Sequence, residues 1–426
     1  MKIAILGFGR EGRSLFRFLR KEPRFRMAEL WILDKNGRIA IPRGARAKTG
    51  KNYLADIARF DIVFRSPGVP YGLPELIAAR RAGVRFSSAT KLFFELAAPH
   101  RKKLIGITGT KGKGTTSALL TQILRRAGFR AILAGNIGTP MLDALPDIRR
   151  TDYVVLELSS FQLQDLHTSP HLAAILDVFP DHLESILTAE HGTHRSLREY
   201  YGSKANVGRF QKKGDAVFYF RDNGPALRLA KKSPAKKIGV VSRREGARKN
   251  YDMAAAIARF IGCDNVLIRR TIDGFRGLEH RLEFVRAVTG VRFFNDSAAT
   301  NPTAVAGAVR SFSEPLVLIA GGKDKGLDYG TLAKALKRSP SVKLIMLLGQ
   351  NKKKIATAIK HVKAPVKFAV TLRSAVEIAY RFSKTLLANG RTPAPVVLLS
   401  PGAASFDMFQ NYADRGRKFK KLVKAL

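Results

Sequence analysis

The chain has 426 residues, 45% of them hydrophobic, and a mean hydropathy of −0.09, which is typical of a globular protein with two or three domains. Its one cysteine, Cys263, excludes an internal disulfide framework and a zinc site built from cysteines. No apolar run is long enough to cross a membrane, and the run after Met1 is too short for a signal peptide, so we expect a cytoplasmic protein.

The formal net charge of +43 is the most unusual property of the sequence. Basic surfaces often bind nucleic acid or anionic membranes. Here the lysines and arginines are spread along the whole chain, without an arginine-rich tail or a nucleic-acid-binding motif. We therefore expect no specific nucleic-acid partner and interpret the charge as a compositional bias that favours encounter with polyanionic small molecules such as nucleotides. A non-catalytic nucleic-acid-binding protein is kept as an alternative.

The first predicted elements are a strand, a glycine loop and a helix. An apolar strand over Lys2–Leu6 precedes the motif GFGREG at Gly7–Gly12, and Asp34 follows the next apolar strand, Leu30–Leu33. In dinucleotide-binding folds the glycines admit a diphosphate and the acidic residue takes a ribose hydroxyl. The pattern predicts a small Rossmann-like domain. A nicotinamide-dependent dehydrogenase would also use this motif, but it would leave the next one unexplained.

The stretch Leu104–Gly128 has the pattern of a phosphate-binding loop. A buried strand, Leu104–Ile107, leads into a glycine-rich turn and then into an amphipathic helix. Glycines let backbone N–H groups converge on phosphate oxygens, and Lys113 is placed to contact the β- and γ-phosphates. Gly114 stands where such loops usually carry a magnesium-binding hydroxyl, so Thr115 is the nearest candidate ligand.

Polar residues follow the next strands in the same way. Glu157 ends the apolar strand that begins at Tyr153, beside the phosphate loop, where a magnesium ligand is needed. Another buried strand, Ala173–Val178, is followed by His182, for which we favour a role in the site. A predicted helix, Tyr200–Phe210, carries Lys204. The alternation of strands and helices predicts a parallel, doubly wound sheet.

A linker pattern at Gly274–Arg281 separates this region from a second alternating α/β unit. Its predicted strands are Arg292–Asn295, Leu316–Ala320, Lys343–Leu348 and Val396–Leu399. Glycine and polar residues again follow the strand ends, where ligands bind in open α/β sheets.

Together these segments resemble the Mur ligase family. The matching segments run in order through nearly the whole chain: GITGTKGKGTT, GNIGTP, LELSSFQL, the pair Asp181-His182, GLEHRLE, NDSAATNP, GGKDKG and SPGAASFDMFQNYADRG. The resemblance implies an α/β protein of three domains. These would be an N-terminal Rossmann-like domain that binds a UDP-linked substrate (1–96), a central P-loop ATPase domain with a parallel sheet (97–278) and a C-terminal Rossmann-like domain that closes over nucleotide and amino acid (279–426).

The segments LELSSFQL and SPGAASFDMF resemble the branch of the family that adds D-glutamate to UDP-N-acetylmuramoyl-L-alanine in peptidoglycan synthesis. The resemblance implies an ATP-dependent amide ligase that works through an acyl phosphate, with ATP, two Mg²⁺ ions and small-molecule substrates, and we expect a monomer. The alternative within the superfamily is a ligase of the folylpolyglutamate synthetase type, in which a glycine also follows the lysine.

The resemblance also implies roles for individual residues. The catalytic residues would be Lys113, His182 and a carbamylated Lys204. The magnesium ligands would be Thr115, Glu157, His182 and the carbamate of Lys204. The ATP-binding residues would be Gly109, Thr110, Lys111, Gly112, Lys113, Gly114, Thr115, Thr116, Asn250, Arg281 and Asp296. The substrate-binding residues would be Gly9, Arg10, Asp34, Ser66, Gly68, Asn136, Ser159, Thr300, Lys325, Ser405 and Phe406.

Overall fold

The computed structural model describes residues 1–180, 194–242, 244, 248–324, 326–388 and 393–426. The chain forms two compact units, Met1–Phe275 and Arg276–Leu426. The first unit contains two β-sheets and the second contains one.

The first sheet has five strands in the order β3-β2-β1-β4-β5, and all neighbouring pairs are parallel. The strands are β1 (Lys2–Leu6), β2 (Glu29–Asp34), β3 (Arg46–Thr49), β4 (Ile62–Arg65) and β5 (Arg85–Ser87). The helices are α1 (Arg10–Lys21), α2 (Pro74–Arg81) and α3 (Ala89–Leu96), with 3-10 helices at Pro23–Phe25, Ile57–Arg59 and Ala98–Lys103. Because β1 lies between β2 and β4, the loops after β1 and β4 meet at the switch point of the sheet, where such folds bind ligands.

The second sheet has six parallel strands in the order β11-β10-β9-β6-β8-β7. The strands are β6 (Leu104–Thr108), β7 (Ala131–Gly135), β8 (Tyr153–Glu157), β9 (Leu172–Ile175), β10 (Ala216–Phe220) and β11 (Lys236–Val240). The helices are α4 (Lys113–Arg126), α5 (Ser160–Leu163), α6 (Leu197–Arg209), α7 (Gly224–Ala230), α8 (Lys249–Ile261) and α9 (Asn265–Asp273), with a 3-10 helix at Met141–Arg150. Since β6 lies between β8 and β9, the segments that follow these three strands gather at one edge.

The sheet of the second unit is mixed, with six strands in the order β12-β13-β17-β14-β15-β16. Only β12 runs antiparallel to its neighbour, and the other pairs are parallel. The strands are β12 (Glu283–Val288), β13 (Val291–Asn295), β14 (Leu316–Ala320), β15 (Val342–Leu347), β16 (Val366–Phe368) and β17 (Val396–Leu399). The helices are α10 (Pro302–Val309), α11 (Gly330–Lys337), α12 (Lys352–Ala358), α13 (Leu372–Ala388) and α14 (Tyr412–Lys424).

Helix α4 shows how the hydrophobic core fixes the phosphate loop. Its predicted apolar face is fully buried and packs in one cluster with Ile105 and Ile107 of β6. The residues of this face are Leu119, Leu120, Ile123 and Leu124. Burial of each such side chain stabilises the fold by about 1.5–3 kcal/mol. The loop between β6 and α4 is therefore anchored at both ends.

The predicted fold class is confirmed, with parallel sheets in the first unit and a mixed sheet in the second. The basic segment directly before Leu104 forms the 3-10 helix Ala98–Lys103. The predicted strand Ala173–Val178 is shorter in the structure, Leu172–Ile175. None of the helices in the described part of the chain is long and apolar enough to cross a membrane.

Candidate active site

The loop between β6 and α4 has the geometry of a phosphate-binding loop. Gly112 precedes α4 with φ +82°, and a Cβ at this position would collide with the side-chain amide of Asn250, so glycine is required there. Gly112 makes no side-chain cap at the N-terminus of α4, and helix N-termini of this kind are sites at which anions bind. Lys113 turns back over the loop, and its Nζ donates to the carbonyl oxygens of Gly109 at 3.1 Å and Thr110 at 3.2 Å.

A second lysine reaches the same carbonyl from helix α6. Lys204 is only 2% exposed, and its Nζ donates to the carbonyl oxygen of Gly109 at 2.7 Å. The same Nζ lies 4.7 Å from the ring centre of Tyr200, within range of a cation–π interaction. The Tyr200 hydroxyl is 2.8 Å from Oγ1 of Thr110, so α6 is docked directly on the loop. Two amines, those of Lys113 and Lys204, thus converge on one loop carbonyl.

Glu157 lies next to this loop at the end of β8. It pairs in register with Ile107 of β6 and is 2% exposed. Its Oε1 accepts a hydrogen bond from Nδ2 of Asn136 at 2.8 Å. Its Oε2 is shielded from solvent and has no hydrogen-bond partner among the described residues. A buried carboxylate oxygen without a donor is costly unless a cation occupies it, and a hard oxygen ligand suits magnesium.

The rest of the predicted magnesium set is not assembled by the described residues. His182 lies outside them, and within them no group of three His, Cys, Asp or Glu side chains could hold a metal ion. Thr115 is half-buried in the first turn of α4. The full ligand set therefore stays a prediction, whereas the unsatisfied oxygen of Glu157 fits it.

Helix α8 closes another side of the loop. Oγ1 of Thr116 is 3.5 Å from the carbonyl oxygen of Asn250. The neighbouring Lys249 forms ion pairs with Asp177 at 2.9 Å and Asp222 at 2.8 Å. Asp177 in turn accepts the Thr110 N–H on its carbonyl oxygen at 2.8 Å. The sequence reasoning found Asn250 but missed Lys249 and Asp177, for which the sequence offered no motif.

The glycine loop after β1 is held by two predicted substrate residues. Ser66 donates from Oγ to the carbonyl oxygen of Gly7 at 2.6 Å. Oδ2 of Asp34 accepts the Phe8 N–H at 2.7 Å, and its Oδ1 accepts the Asn36 N–H at 2.8 Å. Both side chains therefore shape the loop, whatever they also contact in a ligand.

Three other predicted substrate residues lie at the same switch point. Gly9 precedes α1, and a Cβ on Gly9 or on Gly68 would meet no atom within 4 Å. Arg10 extends to the second sheet, where it donates to the carbonyl oxygens of Gly135 at 2.5 Å and Gly138 at 3.1 Å. The first glycine loop and the loop that carries Asn136 are therefore directly linked.

In the second unit, polar residues gather where β13 and β17 end. Asp296 is 7% exposed, and its carboxylate accepts hydrogen bonds from Oγ of Ser400 at 2.7 Å and from the Leu282 N–H at 3.2 Å. Burial raises the pKa of Asp296 to about 6, against the opposing effect of the Ser400 hydrogen bond.

The other predicted residues of the second unit differ widely in exposure. Arg281 is exposed and Thr300 is half-buried. Ser405 is 2% exposed, whereas the ring of Phe406 is 64% exposed. Lys325 lies outside the described residues.

Comparison with known protein families decides how this arrangement should be classified. Residues 107–276 match the Mur ligase middle domain, and residues 280–389 match the glutamate ligase domain of Mur ligases.

The chain belongs to the Mur ligase family.

Several full-length relatives of this Mur ligase are known. A protein of Acetivibrio thermocellus named UDP-N-acetylmuramoylalanine–D-glutamate ligase is 33% identical, over 100% of this chain and 96% of its own length. Proteins of the same name from Symbiobacterium thermophilum and Clostridium tetani are each 32% identical to this chain. The alignments cover 100% of this chain and 98% and 97%, respectively, of the two relatives.

Solved structures show the same Mur ligase fold at low sequence identity. UDP-N-acetylmuramate–alanine ligase from Thermotoga maritima aligns with a TM-score of 0.57 at 16% identity, over 100% of this chain and 99% of its own. Folylpolyglutamate synthase from Mycobacterium tuberculosis aligns with a TM-score of 0.56 at 14% identity, over 78% of this chain and 94% of its own. At these identities the likeness concerns the fold alone.

The structure also reveals residues near the Mur ligase site that the sequence reasoning did not single out. His194 is 1% exposed, with Nε2 2.9 Å from Oγ of Ser160, and its ring stacks on Phe161 at 4.8 Å. Gln162 is 2% exposed and accepts the Ser159 N–H on Oε1 at 2.9 Å. Ser160, Phe161 and Gln162 lie in the motif LELSSFQL, so the sequence offered a signal for this segment but not for His194.

Proposed function

We propose that this Mur ligase joins D-glutamate to UDP-N-acetylmuramoyl-L-alanine at the expense of ATP, in the synthesis of peptidoglycan. The observation that carries the proposal is the convergence of the Lys113 and Lys204 amines on Gly109, beside the unsatisfied oxygen of Glu157. Full-length relatives that bear the name of this activity support the choice of substrates.

The reaction has two steps. A carboxylate oxygen of UDP-N-acetylmuramoyl-L-alanine attacks the γ-phosphorus of ATP, forming an acyl phosphate and releasing ADP. The amine of D-glutamate then attacks the acyl carbon, and the tetrahedral intermediate expels phosphate to leave an amide. Two anions approach each other in the first step, so positioned cations and N–H donors should contribute most of the catalysis. In this proposal Lys113 contacts the phosphates together with the N–H groups at the start of α4.

Magnesium, when bound, would neutralise charge on the phosphates and on the reacting carboxylate. We propose that Oε2 of Glu157, the hydroxyl of Thr115, His182 and a carbamylated Lys204 hold two ions. A free ammonium cannot bind magnesium, whereas a carbamate presents oxygen ligands. The amine of Lys204 is 2% exposed and lies at the carbonyl oxygen of Gly109, so a carbamate formed on it would be next to the phosphate loop.

We further propose how the substrates divide among three domains, 1–96, 97–278 and 279–426. The UDP-linked substrate would bind residues of the first domain and of the strand ends in the second. These residues are Gly9, Arg10, Asp34, Ser66, Gly68, Asn136 and Ser159. ATP would contact the loop of residues 109–116 together with Asn250, Arg281 and Asp296, and D-glutamate would contact Thr300, Lys325, Ser405 and Phe406.

The test is phosphate release with ATP, UDP-N-acetylmuramoyl-L-alanine and a panel of amino acids. We expect turnover with D-glutamate and little with L-glutamate, glycine or L-alanine. Phosphate release that occurs only with a folate-type acid and L-glutamate would instead support the folylpolyglutamate synthetase alternative. Light scattering of the same preparation tests the proposed monomer.

A further inference from the structure

Two neighbouring residues of the first glycine loop contact the second sheet at separate places. Arg10 donates to the carbonyl oxygens of Gly135 at 2.5 Å and Gly138 at 3.1 Å. Glu11 accepts on Oε1 the Nε2–H of Gln162 at 2.6 Å. The contact of Arg10 ends on the loop that carries Asn136, a donor to the Glu157 carboxylate, and the contact of Glu11 ends on Gln162, in the segment that follows Glu157 in the chain.

The contact of Arg10 reaches Glu157 through the loop after β7. Asn136 donates its backbone N–H to the carbonyl oxygen of Glu157 at 3.0 Å and its Nδ2–H to Oε1 at 2.8 Å. Gly135 has φ +106°, and a Cβ at this position would collide with the Glu157 carbonyl oxygen. The loop held by Arg10 is therefore packed directly on Glu157.

The contact of Glu11 reaches the segment after Glu157 through Gln162. This glutamine is 2% exposed and forms a reciprocal capping box with Ser159. Its Oε1 accepts the Ser159 N–H at 2.9 Å, and its own N–H donates to Oγ of Ser159 at 3.2 Å. Ser159 lies two positions after Glu157 in the chain, so Glu11 holds the segment that leaves β8.

The surroundings of Glu11 are unfavourable for a carboxylate that only fills space. Its Oε2 is shielded from solvent and has no hydrogen-bond partner among the described residues. Burial raises the pKa of Glu11, and the hydrogen bond from Gln162 and the charges of Arg10 and Arg65 oppose that rise. An enclosed acidic group with one unsatisfied oxygen is costly, so its presence in the loop calls for a function.

We propose that Arg10 and Glu11 are positioning residues that hold the two segments flanking Glu157 and so orient its carboxylate toward the cation of the nucleotide. Because both residues belong to the loop that receives the UDP-linked substrate, occupancy of that loop and cation binding at Glu157 are coupled. The inference rests on the proposed function for the identity of the substrate, but the contacts themselves do not depend on it.

The test compares Glu11→Ala, Gln162→Ala and the double variant by the binding of Mn²⁺, measured by electron paramagnetic resonance with ADP present and no turnover. Loss of a group that orients a metal ligand typically weakens metal binding about 10–100-fold. We expect each single variant to weaken Mn²⁺ binding about 10-fold. The double variant should bind no more weakly than Gln162→Ala, because that variant already removes the contact with Glu11 together with the bond from the Ser159 N–H. Glu11→Gln keeps an acceptor oxygen for Gln162 and should retain most of the affinity.

A second arm measures the coupling. In the wild-type protein, saturating UDP-N-acetylmuramoyl-L-alanine should tighten Mn²⁺ binding about 5-fold, and Glu11→Ala should abolish this effect. The matched control is Glu22→Ala, at the far end of α1, where the carboxylate pairs with Arg24. Thermal unfolding of every variant checks that the fold is retained.

Unchanged Mn²⁺ affinity in a folded Glu11→Ala protein, or strictly additive effects in the double variant, would overturn the inference. A wild-type protein that binds Mn²⁺ with the expected dependence on Glu11 but does not ligate D-glutamate would instead refute only the proposed function.

Discussion

The two glycine loops of the first unit share a local structure but differ in charge. Each follows the central strand of a parallel sheet and opens a helix whose N-terminus no described side chain caps. The loop at residues 109–114 has two lysine amines on its carbonyl oxygens, whereas the loop at Gly7–Gly12 is fixed by carboxylates and a serine hydroxyl. The loop at residues 109–114 thus concentrates positive charge, which supports the phosphoryl transfer proposed for it. The described contacts of the loop at Gly7–Gly12 place no lysine amine on its carbonyl oxygens, in keeping with the proposed binding of a diphosphate that does not react.

The largest effect is expected when a lysine of the loop at residues 109–114 is removed. Lys113→Ala should lower phosphate release about 10²–10³-fold, because a positioned donor to the transferring phosphate is lost while the loop backbone remains. Steady-state phosphate release and thermal unfolding are the measurements. Lys102→Ala, an exposed lysine before β6, is the matched control and should behave like the wild type.

The second lysine tests the proposed carbamate. Lys204→Ala should lower activity about 100-fold with the fold retained, and a small carboxylic acid in excess should restore part of it by occupying the vacated ligand position. Lys213→Ala, exposed beyond the same helix, serves as the control. Full activity of Lys204→Ala at limiting magnesium would mean that Lys204 is an ordinary structural residue.

A matched pair of glycine substitutions tests how the two loops differ in their backbones. Gly112→Ala should destabilise the protein by about 1–3 kcal/mol and weaken ADP binding, since φ is +82° and the Asn250 side chain blocks a Cβ. Gly9→Ala should leave the free energy of unfolding nearly unchanged, because the space beside Gly9 is open. It should weaken only the binding of the UDP-linked substrate.

Calorimetric titration of each ligand, combined with denaturant unfolding, separates the two outcomes. Equal losses of stability in both glycine variants would show that Gly112 and Gly9 do not differ in how strongly the backbone requires glycine.

The smallest expected effect concerns the serine that holds the first loop. Ser66→Ala removes the 2.6 Å hydrogen bond to Gly7 and should lower the free energy of unfolding by about 0.5–1.5 kcal/mol. Binding of UDP-N-acetylmuramoyl-L-alanine should weaken while ADP binding is unchanged. A loss of ADP affinity of the same size, measured without the UDP-linked substrate, would show that Ser66 does not act on the first loop alone.

Much of the fold was predictable because buried strands and glycine turns leave local patterns. The bounds predicted for Lys2–Leu6, Leu316–Ala320 and Val396–Leu399 match the structure. The missed strands β3, RAKT, and β5, RFS, have no fully buried residue, so neither shows an apolar run. Strand β12 was missed because it follows a linker-like segment and mixes exposed and half-buried residues.

The candidate site was predictable where a residue directly follows a strand or lies within a motif. Lys113 and Glu157 were found in this way, and Lys204 by resemblance. The contacts of Glu11 with Gln162, and of Lys249 with Asp177, could not be predicted, because each joins chain segments far apart in sequence. Sequence position indicates which residues reach the edge of a sheet, but not which side chains meet there.

The account depends most on the claim that ATP activates the substrate carboxylate as an acyl phosphate. The direct measurement uses UDP-N-acetylmuramoyl-L-alanine whose carboxylate carries heavy oxygen, together with ATP and D-glutamate, and mass spectrometry of the products. We predict that each released phosphate contains one heavy oxygen atom from the carboxylate, with ADP and the D-glutamyl product formed in equal amounts. Unlabelled phosphate, or label found in AMP, would contradict the account.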